Sequence, residues 1–188
     1  LFRLVGSEMC IRDRDYLEAL IKKDERKICS LILGGPTKYY DYSIKNIESI
    51  FSNLNVVLKK KNFQLVVIPS MRTPKNLIDY AKEYFGDTHT IIDNVDKKAY
   101  LSALSKSERI VVTCDSSSMI SEAALTGKPI YVANILPRKN DKRFQKFRNL
   151  FRELNIIRNL GEEEENWNYQ KLDETNRVAK IIKNKINI

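Results

Sequence analysis

A cluster of small polar side chains separates two apolar runs in the second half of the chain. Asp115, three serines at 116–118, Ser121 and Glu122 lie between RIVVTC and GKPIYV. The first amide groups of a helix lack partners within the helix, so serine hydroxyls placed there cap the helix or bind an anion. Glu122 lies one turn after Ser118, on the same helical face. The cluster therefore predicts either a capped helix start or a site where amides and hydroxyls bind a diphosphate and Glu122 accepts hydrogen bonds from a ribose diol.

Two more groups of residues that could bind a ligand lie where apolar runs end. Gly34 and Gly35 follow KICSLIL, and the segment SMRTP, with Arg72 and Thr73, follows FQLVVIP. Glycine permits either the close approach of a ligand to the backbone or a turn with positive φ. A guanidinium beside a helix N-terminus is a common way to bind phosphate, and an ordinary surface arginine is the alternative for Arg72.

The elements that must position these residues alternate along the chain. Strands are predicted at KICSLIL, FQLVVIPS, THTIID, RIVVTC and PIYVANI. Helices are predicted at SIKNIESIFSNLNVVLKKK, TPKNLIDYAKEYFG, KKAYLSALSKS, SSMISEAALTG, a segment near 143–154, and DETNRVAKIIKNKINI. Thr73 is the expected N-cap of the second helix, with Pro74 at its first position, and Gly127 is the expected end of the SSMISEAALTG helix. This rhythm predicts an α/β fold with a doubly wound parallel sheet, which binds ligands beyond the carboxyl ends of its strands.

Composition limits the classes of function. With 188 residues and 43% hydrophobic content, the chain can form one globular domain, and it has no run approaching the roughly 18 apolar residues of a membrane helix. Cys10, Cys29 and Cys114 form no CxxC pair, so we expect reduced thiols. The net charge of +9 comes from scattered lysines without interleaved aromatic residues, so we expect no nucleic-acid partner, and nucleic-acid binding is only a weak alternative. Because the chain has neither a membrane helix nor a signal-peptide pattern, we expect a cytoplasmic location. His89, the one histidine, is expected to be structural.

Several motifs, in this order, resemble the C-terminal half of the mitochondrial-fission ELM family. They are LILGGPTKYY, SMRTP, IVVTCDSSSMISEAALTGKPIYV and the late segment WNYQKLDET. The resemblance runs from about Lys27 to the C-terminus and implies a glycosyltransferase of GT-B type, built from two Rossmann-like domains. Two departures stand out. Lys98, Ala99 and Tyr100 replace the family's usual Asn-Pro-Tyr, and Met71 replaces the first of its two usual arginines.

The resemblance implies a nucleoside-diphosphate-sugar donor, bound with no metal and no resident cofactor. The expected donor-binding residues are Gly34, Gly35, Thr37, Arg72, Thr73, Asp115, Ser116, Ser117, Ser118, Met119, Ser121 and Glu122. A core position is the alternative for Met119. The acceptor is expected to be a lipid or a glycan, which makes peripheral association with the inner membrane the alternative location. A sugar-nucleotide epimerase and a non-catalytic interaction protein of the fission family remain alternatives, although epimerases typically have glycines where this chain has the second and third serines.

Four segments are expected along the chain. Residues 1–14 resemble a translated sequencing adapter, so we expect a non-native leader and the loss of the true N-terminus. Residues 15–26 are a linker or helix, and 27–172 form the Rossmann-like nucleotide-sugar-binding domain. The helix at 173–188 is expected to pack on a missing N-terminal domain, which would also hold the catalytic base, so the chain alone is expected to be inactive. The apolar stripe of that helix consists of Val178, Ile181, Ile182 and Ile186.

Overall fold

A computed structural model describes residues 16–22, 24–162 and 167–186. Within these residues the centre of the fold is a six-stranded sheet whose strand pairs are all parallel. Its strands are β1 (Lys27–Leu33), β2 (Phe63–Pro69), β3 (Thr90–Ile91), β4 (Arg109–Thr113), β5 (Ile130–Ala133) and β6 (Ile157–Asn159). Their order across the sheet is β3-β2-β1-β4-β5-β6. The order reverses between β1 and β4, and such a reversal opens a crevice at the carboxyl ends of the two strands.

Helices connect the strands and cover the sheet. They are α1 (Ile44–Lys61), α2 (Lys75–Phe85), α3 (Lys97–Lys106), α4 (Ser117–Ala124), α5 (Lys142–Glu153) and α6 (Glu174–Ile186). In β2, Leu65 and Val67 belong to the cluster that includes the buried residues of α1 and α2, whereas Val66 and Ile68 pack with Ala99 of α3. Alternate residues of one strand therefore face different helices, which confirms the predicted doubly wound sheet.

Two local predictions about these elements are wrong, and one strand was not predicted. Pro74 occupies the N-cap position of α2, so Thr73 is not its cap. Helix α4 ends at Ala124, and Gly127, with φ +74°, lies in the turn that follows it. Strand β6 was not predicted at all, because its three residues, Ile157–Asn159, carry too short an apolar pattern.

The segment before β1 packs on the domain. Residues 16–20 are helical, and Leu17 is fully buried against Val66 and Ile68. The backbone N–H of Leu17 donates to Ser102 Oγ of α3 at 3.2 Å. The predicted linker or helix is therefore helical over these residues and forms part of the core. The predicted leader, 1–14, lies outside the described residues.

The segment after β6 returns to the core before α6 begins. Trp167 is buried and meets the ring of Tyr131 edge-on, at 5.1 Å between centroids. The hydroxyl of Tyr169 donates to the carbonyl of Ala124 at 3.3 Å. In α6, by contrast, residues 176–186 are all exposed, including its apolar stripe, so docking on an upstream domain stays a prediction. None of the described helices has both the length and the apolar character that a membrane span requires.

Candidate functional site

The glycines after β1 meet the protein's own atoms at the crevice. A Cβ added to Gly34 would lie 2.1 Å from Asp115 Oδ1, and one added to Gly35 would lie 1.9 Å from the carbonyl oxygen of Arg72. Neither glycine has positive φ. Glycine is required at both positions because the loops after β2 and β4 approach the backbone after β1 too closely for any side chain. The predicted turn with positive φ is therefore wrong at both glycines, and the atoms that approach them are the protein's own. The approach of a ligand to this backbone stays a prediction.

Asp115 is the centre of a buried hydrogen-bond network. Its side chain has no solvent exposure and accepts hydrogen bonds from the Tyr42 hydroxyl, from Thr113 Oγ1 at 2.7 Å and from Arg72 Nη2 at 2.5 Å. Burial, and then the Asp115 carboxylate, raise the pKa of Tyr42, so this hydroxyl stays protonated and donates. The N–H of Gly34 donates to Thr113 Oγ1 at 2.8 Å. Asp115 therefore faces the protein and orients Arg72.

Arg72 itself is open to the crevice. Its side chain is 47% exposed, and its Nε and Nη1 groups donate to no described residue. The hydroxyls of Thr73 and Thr37, by contrast, are engaged locally. Thr73 Oγ1 donates to the Leu33 carbonyl at 2.6 Å, and Thr37 Oγ1 accepts from the backbone N–H of Tyr40 at 3.1 Å. Of these three predicted site residues, Arg72 has free donors for an anion.

The start of α4 borders the larger of two cavities at this edge of the sheet. Ser116 is the N-cap and accepts a hydrogen bond from the Met119 N–H at 3.3 Å. The cavity, about 520 Å³ in volume, is lined by Ser117, Ser118, Ser121, Glu122, Arg143, Phe144 and Phe147. Sequence reasoning missed the last three because no sequence signal places α5 beside α4. Ser118 and Glu122 do share a cavity-facing side of α4, as their spacing predicted.

Glu122 also borders a second cavity, of about 250 Å³. The hydroxyl of Tyr100 donates to Glu122 Oε2 at 2.5 Å, while Oε1 accepts from no described residue. Burial, and then Glu122, raise the pKa of Tyr100. This cavity is lined by Ile32, Pro69, Ser70, Met71, Val95, Asp96, Lys97, Tyr100, Met119 and Glu122. Met119 packs against the core, which confirms that alternative, and it also lines this cavity. Its contact with a donor stays a prediction.

A buried ion pair fixes α5 next to the site. Asp141, at the N-cap position of α5, pairs with Arg148 Nη2 at 3.0 Å and accepts from the Tyr40 hydroxyl at 2.6 Å. Burial opposes ionisation of Asp141, but the hydrogen bonds from Tyr40 and Arg148 outweigh it and lower its pKa. Because Tyr40 follows β1 and Asp141 follows β5, this contact ties together two loops at the carboxyl edge of the sheet.

Other reactive groups lie away from this edge or are internal. His89 Nδ1 accepts from the N–H of Leu65 at 3.1 Å, and burial lowers the pKa of His89, which fits the predicted structural role. Cys29 and Cys114 are buried and form no disulfide within the described residues, and burial raises the pKa of Cys114 to about 11. Across the described ranges, no group of three or more His, Cys, Asp or Glu side chains could hold a metal ion.

The strand order and the crevice define a Rossmann-like domain. Two solved structures share this fold. The UDP-GlcNAc 2-epimerase from Methanocaldococcus jannaschii matches with a TM-score of 0.54 and 16% identity, over 93% of this chain and 50% of that one. The UDP-GlcNAc 2-epimerase from Neisseria meningitidis, bound to UDP-GlcNAc, matches with a TM-score of 0.52 and 17% identity, over 96% of this chain and 41% of that one.

The chain belongs to the Mitochondrial fission ELM1 family, whose sequence profile matches residues 5–186. The Uncharacterized protein RP120 of Rickettsia prowazekii (strain Madrid E) is 30% identical over 169 residues, which are 84% of this chain and 46% of that protein. The Mitochondrial fission protein ELM1 of Arabidopsis thaliana is 30% identical over 122 residues, 62% of this chain and 28% of that protein. The chain therefore spans less than half the length of these relatives.

Proposed function

We propose that this chain is the donor-binding half of a glycosyltransferase, and that a nucleoside-diphosphate sugar binds at the carboxyl ends of β1 and β4. One observation carries the proposal. At the crevice where the strand order reverses, a half-exposed Arg72, oriented by the buried carboxylate of Asp115, and the serine-rich start of α4 face the same edge of the sheet. Crevices of this kind are where open α/β sheets bind nucleotides.

The diphosphate would lie at the start of α4. There the free N–H groups of the first turn, the hydroxyls of Ser117 and Ser118, and the guanidinium of Arg72 supply donors for its oxygens. These groups are held in place before the ligand arrives. They would stabilise the negative charge that develops on the departing diphosphate when the sugar is transferred.

The nucleoside would occupy the smaller cavity. Its walls include apolar side chains of Ile32, Val95 and Met119 that suit a flat base, and Glu122 Oε1 is free to accept hydrogen bonds from a ribose diol. The Neisseria meningitidis enzyme of the same fold was solved with a bound UDP-sugar, which supports a sugar nucleotide as the ligand class. The donor would then need no metal and no resident cofactor.

The complete reaction would need residues beyond this chain. The transferred sugar would pass from the diphosphate to an acceptor, a lipid or a glycan, and a base would remove the proton from the acceptor hydroxyl. We place that base and the acceptor site on the upstream half of the longer family members. The chain alone is then expected to bind the donor without turning it over.

Calorimetric titration of the 188-residue chain with UDP, GDP, CDP, ADP and TDP tests the proposal. At least one should bind, and Glu122→Ala should weaken that binding by about 10- to 150-fold, the range expected for loss of a hydrogen bond to a charged group. Glu122→Gln keeps an acceptor for Tyr100 and controls for folding, and Glu153→Ala removes an equal charge from the exposed end of α5. Binding by none of the five, or equal affinity in Glu122→Ala and wild type, would refute the proposed site.

A further inference from the structure

The larger cavity has two unlike walls. Helix α4 contributes hydroxyls, and α5 contributes the rings of Phe144 and Phe147. Neighbouring rings hold both phenylalanines in place. Phe144 meets Tyr39 edge-on at 5.4 Å between centroids, and Phe147 lies 4.3 Å from Phe151. A fixed aromatic wall opposite a row of hydroxyls suits a sugar ring, since the C–H face of the sugar can pack on the rings while its own hydroxyls bond to the serines.

A cation borders the same cavity without an acidic partner. Arg143 is exposed and makes no ion pair with any described residue. It lies in the first turn of α5, which contains no acid, and the Asp141 carboxylate before it is engaged with Tyr40 and Arg148. A cation at a helix N-terminus opposes the helix dipole, so the position of Arg143 does not stabilise α5.

The field around Arg143 is positive as well. Lys142 and Lys146 on the same helix are exposed and make no ion pair within the described residues. Among the residues that line this cavity Glu122 is the one acid, and the Tyr100 hydroxyl already donates to its Oε2. The three cations of α5 therefore outnumber it, and the α5 side of the mouth favours an anionic group over a neutral one.

We propose that this cavity binds a sugar acid, whose carboxylate pairs with Arg143 while the sugar ring lies between the serines and the two phenylalanines. The inference rests on the proposed function, because the sugar would be the one that the nucleoside-diphosphate donor carries. In that donor site the diphosphate has its own partners at Arg72 and the start of α4. Arg143 is thus left for a second anionic group, and a planar guanidinium matches a carboxylate with two parallel hydrogen bonds.

Titration of the 188-residue chain with UDP-glucuronate and UDP-glucose tests this inference. The wild type should bind UDP-glucuronate about 10-fold more tightly or better, because only that ligand offers a carboxylate to the guanidinium. Arg143→Gln should abolish the preference by weakening the binding of UDP-glucuronate to about the affinity of UDP-glucose. Lys146→Gln makes the same change of charge on the same helix, outside the cavity lining, and should keep the preference. Equal affinities in the wild type, or a preference that survives Arg143→Gln, would overturn the sugar-acid cavity. The assignment would also be overturned if Arg143→Gln weakened the binding of UDP, UDP-glucuronate and UDP-glucose by the same factor. Arg143 would then contact the diphosphate that all three ligands share.

A second measurement separates this inference from the proposed function. Free glucuronate and free glucose, each at millimolar concentration, are titrated into the isotope-labelled chain and followed by NMR. Glucuronate should shift the amide signals of Ser118 and Phe147 in the wild type and not in Arg143→Gln, whatever the nucleotide titrations show. If no nucleoside diphosphate binds and these shifts occur, the proposed function fails and the sugar-acid cavity stands. Absence of the shifts, their persistence in Arg143→Gln, or equal shifts with glucose would overturn the cavity assignment.

Discussion

Gly34→Ala should be among the most damaging substitutions of a single methyl group in this protein. The added Cβ would lie 2.1, 2.4 and 2.6 Å from Oδ1, Oδ2 and Cγ of Asp115, so the carboxylate must move. Moving it breaks its hydrogen bonds with Tyr42, Thr113 and Arg72 while the group is still buried. Loss of the partners of a buried charge costs about 3–5 kcal/mol, a large share of the roughly 5–15 kcal/mol that stabilises a typical domain.

Urea denaturation followed by the fluorescence of Trp167 measures this loss. Trp167 is the single tryptophan and is buried, so its emission reports unfolding. Gly127→Ala is the matched control, because Gly127 has φ +74° and its added Cβ would meet nothing closer than Lys171 Cβ at 3.9 Å. The free energy of unfolding of this control should fall by only about 1–2 kcal/mol, the cost of placing alanine in the left-handed backbone region.

A double-mutant cycle identifies the cause. Asp115→Ala removes the three atoms nearest to the added methyl group, so Gly34→Ala introduced into that background should cost less than about 1 kcal/mol. The reasoning fails if Gly34→Ala is no worse than Gly127→Ala. It also fails if the effects of the two substitutions at Gly34 and Asp115 simply add.

Three further predictions concern stability. Urea denaturation measures the first two, and thermal denaturation measures the third. Asp141→Asn should cost about 3–5 kcal/mol, because it leaves the largely buried Arg148 without its carboxylate. The folded protein lowers the pKa of Asp141, so the wild-type ion pair stabilises the folded state fully above the unfolded pKa of 3.8. This stabilisation is lost as the pH falls through the lower pKa of the folded protein. The wild type should therefore lose its advantage in stability over the variant in acid. Leu17→Ala should cost about 2–5 kcal/mol and the exposed Leu20→Ala under about 1; equal losses would mean that residues 16–20 do not pack. Deletion of residues 1–14 should leave the thermal midpoint unchanged, and a clear drop would contradict a non-native leader.

The sequence by itself determined the fold class and the start of α4. Strands β1, β2, β4 and β5 are continuous apolar runs, and a strand buried on both faces needs little else to be recognised. The serines at 116–118 and Glu122 could be placed because helix capping and the helical repeat are local effects within a few residues. Strand β6 was not predicted, because it forms by pairing with β5 and its own sequence pattern does not indicate a strand.

Only the tertiary structure decided how the candidate site is assembled. Tyr42 bonds Asp115 across 73 residues of chain, and Tyr40 bonds Asp141 across 101 residues. Arg143 reaches the serine-lined cavity only because α5 packs beside α4. Such contacts depend on which strands become neighbours in the sheet, and the free energy of a buried carboxylate depends on all the groups around it. The spacing of residues along the chain encodes neither quantity. The sequence could therefore predict candidate site residues, but it could not predict the residues that contact them.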